Sequence, residues 1–553
     1  LPTLNVGYND LCELIGKELT IGSLKEKLFL MKCEVDSLSG DELVLEITSD
    51  RADLLCAEGI ARELRGLLGI ETGLVNYRLN KSDLKIYVDR SISKIRPYIA
   101  GALVKKLEFT DEFVRQIMQL QEKLHLTYCR NRTKVSVGIH DAETVTHNLS
   151  YAGVSPEKIR FTPLDEEKEM NGNEILEYTP KGREYGWIIK TFPVYPLLSD
   201  SDAKVLSLPP IINGIVTRVT PETTSLILDV TGTDMKLVNF VNNIMVSSLV
   251  ERGGIAETAT IIYDEKRINT PDLRPYRRNL NLAFANKTLG LDLKIGQASS
   301  LLGKMRYGVK SQSKNSITVI IPAYRADIMH EIDLVEDLAI AYGYDKLPPT
   351  MPMSATIGSE RDITKLTRKI RDLMVGLGFI EVLNYVMTSE NTISYKMDVS
   401  NQKIVKIANP LSLDFSVLRN WLIPGLLSFL SFNKHVPYPQ NIFECGDAVE
   451  IDEMASTKTI TNTKLAALVC DHKISYEDIQ SNLYSLLQNA GADGWSLQRT
   501  EHSSFIKGRV ASIKVSGVES GIVGEIHPRI LERFKIENPV GAFEIDLGKM
   551  FWK

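Results

Sequence analysis

Two stretches of the chain hold residue types that could do chemistry. In the first, Asp327, Glu331, Asp333, Glu336 and Asp337 crowd into one short segment with no lysine or arginine among them. At helical spacing Asp333, Glu336 and Asp337 share a face, and Asp327, near the helix start, can fold back towards it. Clustered carboxylates repel unless something neutralises them, and an all-oxygen set suits a hard cation such as Mg²⁺. The same acids also suit the early turns of a helix, where the dipole stabilises each by about 0.3–1 kcal/mol. Spacing leaves both readings open, with His330 read as a cap-region side chain.

The second stretch is Asp229-Val230-Thr231-Gly232-Thr233-Asp234, between an apolar strand and an amphipathic helix. Free N–H groups collect at a helix start, so oxygens placed there can hold a polar substrate group or position a water. Thr233 or Asp234 is equally a plain N-cap. Upstream, the doubled proline in Leu206-Ser207-Leu208-Pro209-Pro210-Ile211-Ile212-Asn213 stiffens a loop that would present Ser207 and Asn213 as a pocket wall. Three further motifs read as structural: Gly138-Ile139-His140-Asp141, Arg274 to Arg278, and Gly524 to Pro528. The first lacks an identifiable serine or cysteine partner. No phosphate-binding glycine fingerprint and no His-Glu-x-x-His zinc motif occurs.

The elements that must position these residues can be read from periodicity. Ser225–Val230 reads as a buried strand and Met235–Arg252 as a helix stopped by Gly253-Gly254. Ile363, Leu366, Ile370, Leu373 and Leu377 follow helical spacing, Gly378 stops that helix, and Phe379–Met387 reads as a strand. Arg51-Ala52-Asp53 and Arg325-Ala326-Asp327 each follow a strand and open a helix, with Leu64 and Gly69 at the offsets of Leu338 and Gly343. In this pair Asp reads as N-cap and Gly as C-terminal stop, whereas Gly59 and Arg62 stand where the second copy has Asp333 and Glu336. The expected organisation is a module over 1–85, an α+β domain over 86–265, a small module over 266–350 and an α/β domain on a mainly antiparallel sheet over 355–553. The proline-rich segment 346–352 reads as a linker.

A chain of 553 residues, 24% charged and 43% hydrophobic, is ordinary globular composition and excludes disordered and fibrous classes. A net charge of −5 argues against a protein that coats nucleic acid by bulk electrostatics. The longest nearly apolar stretch, Trp421–Phe432, falls short of the roughly 20 residues of a membrane span, and the N-terminus lacks a signal-peptide layout. Six scattered cysteines show neither metal nor redox spacing, so a reducing cytoplasm is expected.

The segment Pro322–Tyr344 resembles the magnesium-binding module of the phenylalanyl-tRNA synthetase β subunit. Glu46–Asp53 with Gly59–Leu64 resembles the family's N-terminal module, and Pro209–Asn213 with Asp229–Thr233 its editing domain. Asn409–Ser412, Leu418-Arg419, Ile423–Leu427, Phe443–Gly446 and Gly524–Pro528 resemble its synthetase-like domain. The resemblance spans almost the whole chain and is of the archaeal and eukaryotic type. It implies an α/β and α+β multidomain protein whose C-terminal antiparallel domain copies the class II synthetase fold without a synthetic site. The implied partners are an α subunit in an α2β2 heterotetramer, which binds ATP and phenylalanine, and tRNA-Phe. The implied Mg²⁺ ligands are Asp327, Asp333, Glu336 and Asp337. The implied site for hydrolysing Tyr-tRNA has Asp229 and Thr231 as catalytic residues, lined by Leu197, Ser207 and Asn213. Two other readings of the chain are a noncatalytic scaffold and a stand-alone Mg²⁺-dependent hydrolase using the 327–337 carboxylates.

Overall fold

The computed structural model describes residues 2–313, 315–353, 356–400 and 402–551. It divides into two compact units, Leu1–Met351 and Pro352–Lys553. The first is a mixed α/β assembly of three sheets. Near its N-terminus Glu42–Ile47 lies between Thr3–Gly7 and Cys33–Ser39. Alternation along the central strand turns Leu43, Leu45 and Ile47 inward against the helix Ala57–Leu67.

The large sheet has ten strands, and the strand Asn80–Val88 belongs to it, so the sheet crosses the expected boundary at 85. One end of this sheet runs Ile255–Ile262, Tyr98–Lys105, Leu226–Gly232, Val135–Asp141. At the other end Tyr195–Asp200 and Val205–Leu208 are joined by the short Ile212–Asn213. Helices Asp111–Leu126 and Met235–Glu251 share one core with the strands Val135–Asp141 and Leu226–Gly232. The third sheet, with Ser316–Ile321 between Tyr276–Asn281 and Gly308–Ser313, is covered by Leu282–Leu289, Ile295–Lys304 and Glu331–Tyr342.

The second unit is built on a seven-stranded sheet in which every named pair is antiparallel except Ile380–Glu381 with Gln440–Ile451. Its period-2 pattern feeds two cores. Phe443, Leu465, Ala467, Phe543 and Ile545 meet helices Asp362–Gly376 and Tyr476–Ala490, while Ile442, Ala466, Leu468 and Ala542 meet Ile423–Phe432. The expected strand Phe379–Met387 is broken: Ile380–Glu381 joins this sheet, while Met387 pairs with Leu418 in a separate two-stranded sheet.

Two local expectations are corrected. Asp53 and Asp327 do not cap helices: these begin at Ala57 and Glu331, capped at Cys56 and His330. Each aspartate is instead drawn to the arginine two residues before it, because a buried carboxylate needs a cation more than a helix needs that particular cap. At the helix start after Thr233 the structure selects the plain N-cap reading over the open one. The Asp234 side chain accepts from the backbone N–H groups of Lys236 and Leu237, so these are already satisfied.

Candidate active site

A cavity of about 550 Å³ opens between the helix Asp111–Leu126 and the large sheet. Ser207, Asn213 and Asp229 line it, as the sequence suggested. Thr231 and Leu197 are not among the lining residues. Thr231 is fully buried behind Ser136, its hydroxyl 3.0 Å from Ser136 Oγ and its carbonyl accepting from Arg96 at 2.8 Å. Leu197 packs in an apolar cluster with Phe161, Tyr195 and Ile211.

The closed end of the cavity is built by cross-strand register. Asp229 pairs with Gly138, and Ile227, two residues earlier on the same face, with His140. His140 Nε2 lies 2.7 Å from Asp229 Oδ2, and the Ser207 hydroxyl donates to the same oxygen at 3.2 Å. On its other side, His140 Nδ1 is 2.8 Å from Thr217 Oγ1. The glycine is required: a Cβ at Gly138 would stand 2.2 Å from Asp229 Oδ2 and 2.7 Å from His140 Nε2. Asp229, Ser207 and His140 are each at most 2% exposed.

The open end carries charge. The Arg132 guanidinium donates to the carbonyls of Pro210 and Ile211 and to Glu122 at 3.0 Å, tying the doubled-proline loop to the helix. Lys181 adds a second cation 3.8 Å from Glu122. The contact with His125, together with these cations, pulls the Glu122 carboxyl down to about 2. His125 accepts the Val137 N–H on Nε2 at 2.9 Å, so its proton sits on Nδ1, 3.5 Å from Glu122.

Burial lowers His125 to about 4, below the ordinary value of about 6.5. The unfolded chain therefore takes up a proton that the folded chain refuses. Stability is full above pH ~6.5 and is lost as pH falls towards 4, by about 1.4 kcal/mol per unit from this group. His125→Gln, which keeps an acceptor for Val137, is expected to flatten that acid slope in denaturant unfolding. An unchanged slope would mean that His125 is not its source.

Comparison with known proteins decides the family. Residues 347–547 match the model described as the phenylalanyl tRNA synthetase beta chain CLM domain, and residues 278–344 the tRNA synthetase B5 domain. The phenylalanine–tRNA ligase beta subunit of Pyrococcus abyssi is 41% identical, covering 100% of both chains, and that of Thermococcus sibiricus 40%, over 100% of this chain and 99% of the relative. The solved N-terminal fragment of the Pyrococcus horikoshii synthetase beta subunit is 40% identical with a TM-score of 0.60, over 62% of this chain and 100% of the fragment. The chain belongs to the phenylalanine–tRNA ligase β-subunit family. It is therefore a subunit of an aminoacyl-tRNA synthetase.

In this β subunit the carboxylates of 327–337 do not converge on a cation site. Arg325, 1% exposed, forms a two-pronged pair with Asp327 at 2.9 and 2.7 Å and reaches Asp337 at 2.7 Å. The Tyr307 hydroxyl donates to Asp337 as well. Asp333 accepts the N–H groups of Met329 and His330 at 2.7 and 2.6 Å. Glu336 pairs with Lys32 at 2.9 Å. Among the described residues no group of three or more His, Cys, Asp or Glu side chains is disposed to hold a metal ion. The expected Mg²⁺ set Asp327, Asp333, Glu336 and Asp337 thus does not fit in this arrangement. The base lies just outside the acidic segment, two residues before it.

The first Arg-Ala-Asp copy of the β subunit is wired alike. Arg51 pairs with Asp53 at 2.9 Å and Glu63 at 3.1 Å, and Glu63 stands at the offset of Asp337. Burial alone would raise the Asp53 carboxyl, but Arg51, Arg62 and Arg325 hold it below the usual range. Arg62 then stacks 3.7 Å over the Tyr324 ring of the second copy, so the difference at that position joins the two modules. A Cβ at Gly59 would meet the Asp53 carbonyl at 1.8 Å, which is why the first copy has glycine where the second has Asp333.

Sequence reasoning set His140 aside as structural, because the motif Gly138-Ile139-His140-Asp141 showed no nucleophile partner, and it missed Glu122, His125 and Arg132. The alternation Gly138-Ile139-His140 does put an imidazole and a hole on one strand face. The other three carried no signal.

Proposed function

We propose that this β subunit proofreads, hydrolysing Tyr-tRNA-Phe in the 550 Å³ cavity, and that it scaffolds an α2β2 synthetase in the cytoplasm. In that assembly the α subunit binds ATP and phenylalanine and forms Phe-tRNA-Phe, AMP and diphosphate. The observation that carries the proofreading is a buried carboxylate held at the closed end of a cavity whose other end is open and charged. A tRNA is too large to enter, so the amino-acid side chain must enter first and the ester must stay near the mouth. Asp229 then meets the far end of the side chain, and a tyrosine hydroxyl supplies the donor that phenylalanine lacks. A site built to hydrogen-bond a hydroxyl rejects the analogue without it far better than an apolar pocket rejects an added hydroxyl. The synthetic site faces the second, harder task, which gives proofreading its purpose.

On this reading Asp229 is a recognition group, the first of the two roles the motif left open, holding a polar substrate group or positioning a water. Thr231 lies behind the wall, with its hydroxyl on Ser136. The helix start after Thr233, closed by Asp234, supplies no oxyanion donors. Asn213, with its amide donating to the Ile139 carbonyl at 3.2 Å, and the open-end groups Gln121 and Glu122 lie where the ester and an attacking water would be. No covalent nucleophile is needed. Ser207 donates to a carboxylate, and both nitrogens of His140 are engaged by other partners.

A synthetase-like second unit without its own synthetic site accords with the state of Arg419. It is 4% exposed and donates to Glu444 at 2.6 Å and the Asp447 carbonyl at 2.8 Å, which leaves it committed to the fold. The stand-alone Mg²⁺-dependent hydrolase loses its support with Arg325 and Lys32 among its carboxylates. The purified chain is expected to give no phenylalanine-dependent exchange of pyrophosphate into ATP, and to give it when the α subunit is added. Exchange by the chain alone would refute the division of labour.

A further inference from the structure

Asp229 acts at the cavity, yet nothing on its own strand determines which of its two oxygens faces the substrate. Its Oδ2 takes both neighbouring donors, His140 Nε2 at 2.7 Å and Ser207 Oγ at 3.2 Å, while Asp229 itself lines the cavity and His140 does not. His140 is fully buried, and its ring plane is set from behind by Thr217 at 2.8 Å, in the short turn Ile215–Thr217. A histidine whose two nitrogens are engaged at opposite edges cannot rotate without losing both bonds. The space it needs is kept open by the missing side chain of Gly138.

We propose that His140 is a positioning residue for substrate choice: by clamping Oδ2 it turns Oδ1 of Asp229 to the cavity as the fixed acceptor for the tyrosine hydroxyl. Thr217 and Gly138 complete the device, one orienting the ring and the other making room. The inference rests on the proofreading reading and deepens it, because it concerns discrimination and not the hydrolytic step. A preorganised acceptor pays no reorientation cost when the hydroxyl arrives, whereas a carboxylate free to rotate does. Ser207 alone cannot replace the clamp, since one neutral hydroxyl donor leaves the carboxylate free to swing about its own bond. Facing a carboxylate, which only accepts, His140 donates on Nε2, while the Thr217 hydroxyl at the other edge lies 2.8 Å from Nδ1 and 3.3 Å from the Gly214 carbonyl.

The test uses the full chain assembled with the α subunit, and Tyr-tRNA-Phe and Phe-tRNA-Phe as substrates for deacylation. The readout is the ratio of the two kcat/KM values. His140→Ala is expected to lower that ratio about tenfold, the effect of losing one charge-assisted hydrogen bond. Phe-tRNA synthesis on the α subunit stays unchanged. His140→Gln, whose amide N–H can still reach Asp229, is expected to hold the ratio within about threefold of the wild type. In an Asp229→Asn background, His140→Ala is expected to change the ratio no further, since a residue acting through Asp229 has nothing left to position. A merely structural histidine would lower both deacylations alike and leave the ratio where it was, which would overturn the inference. So would an equal loss in the Asp229→Asn background. If the wild-type complex shows no preference for deacylating Tyr-tRNA-Phe, proofreading itself fails and the inference falls with it. If it shows the preference and His140→Ala keeps it, only the inference fails.

Discussion

Arg325→Met is expected to destabilise the first unit by about 3–5 kcal/mol, the cost of removing one partner from a buried ion pair. The side chain is 1% exposed and is the cation between Asp327 and Asp337, with the Tyr307 ring 5.1 Å from its charge centre. Methionine keeps most of the volume and none of the charge, so two carboxylates are left without a counter-charge. Denaturant unfolding of the full chain measures the loss. Lys32→Met is the control: Lys32 and Glu336 are 27% and 45% exposed, and such pairs are worth about 0–1 kcal/mol. Equal effects from the two variants would refute the contrast. The same experiment decides the Mg²⁺ question. If millimolar Mg²⁺ raises the midpoint of the wild type and Asp333→Asn abolishes that rise, the carboxylates do take a cation and the internal neutralisation by Arg325 is incomplete.

Asp229→Ala, assembled with the α subunit, is expected to lower Tyr-tRNA-Phe deacylation by about 10- to 100-fold while Phe-tRNA synthesis stays within about twofold. The carboxylate lies at the closed end of the cavity, between His140 and Ser207, so its loss removes the acceptor and leaves both donors facing a void. Deacylation and synthesis are measured on the same preparation. Loss of both together would assign Asp229 to the fold instead. Retention of both would empty the cavity of the role proposed for it.

How far the sequence carries can be judged from particular residues. The helix Met235–Glu251 and the strand Leu226–Gly232 were legible because apolar period and a glycine stop are local signals. The second unit's antiparallel sheet was legible for the same reason. The two Arg-Ala-Asp copies could be aligned, but the role of their aspartates was misread, since a capping motif and a buried ion pair use the same residue types at the same spacing. The pocket lining was half legible. Ser207, Asn213 and Asp229 reach the cavity, while Thr231 and Leu197, both in strands of the same sheet, pack behind its wall.

By itself the sequence determined the family, a few strands and helices such as Leu226–Gly232 and Met235–Glu251, and the sets of acids and hydroxyls able to do chemistry. All of these follow from residue type and from neighbours a few positions apart. Tertiary structure alone decided which cation neutralises which carboxylate, and that His140 meets Asp229 and Thr217 across 89 and 77 residues of chain. The reason is physical. Periodicity fixes which side of an element a residue faces, whereas strand order and register, set by burial of the whole sheet, fix what it meets there.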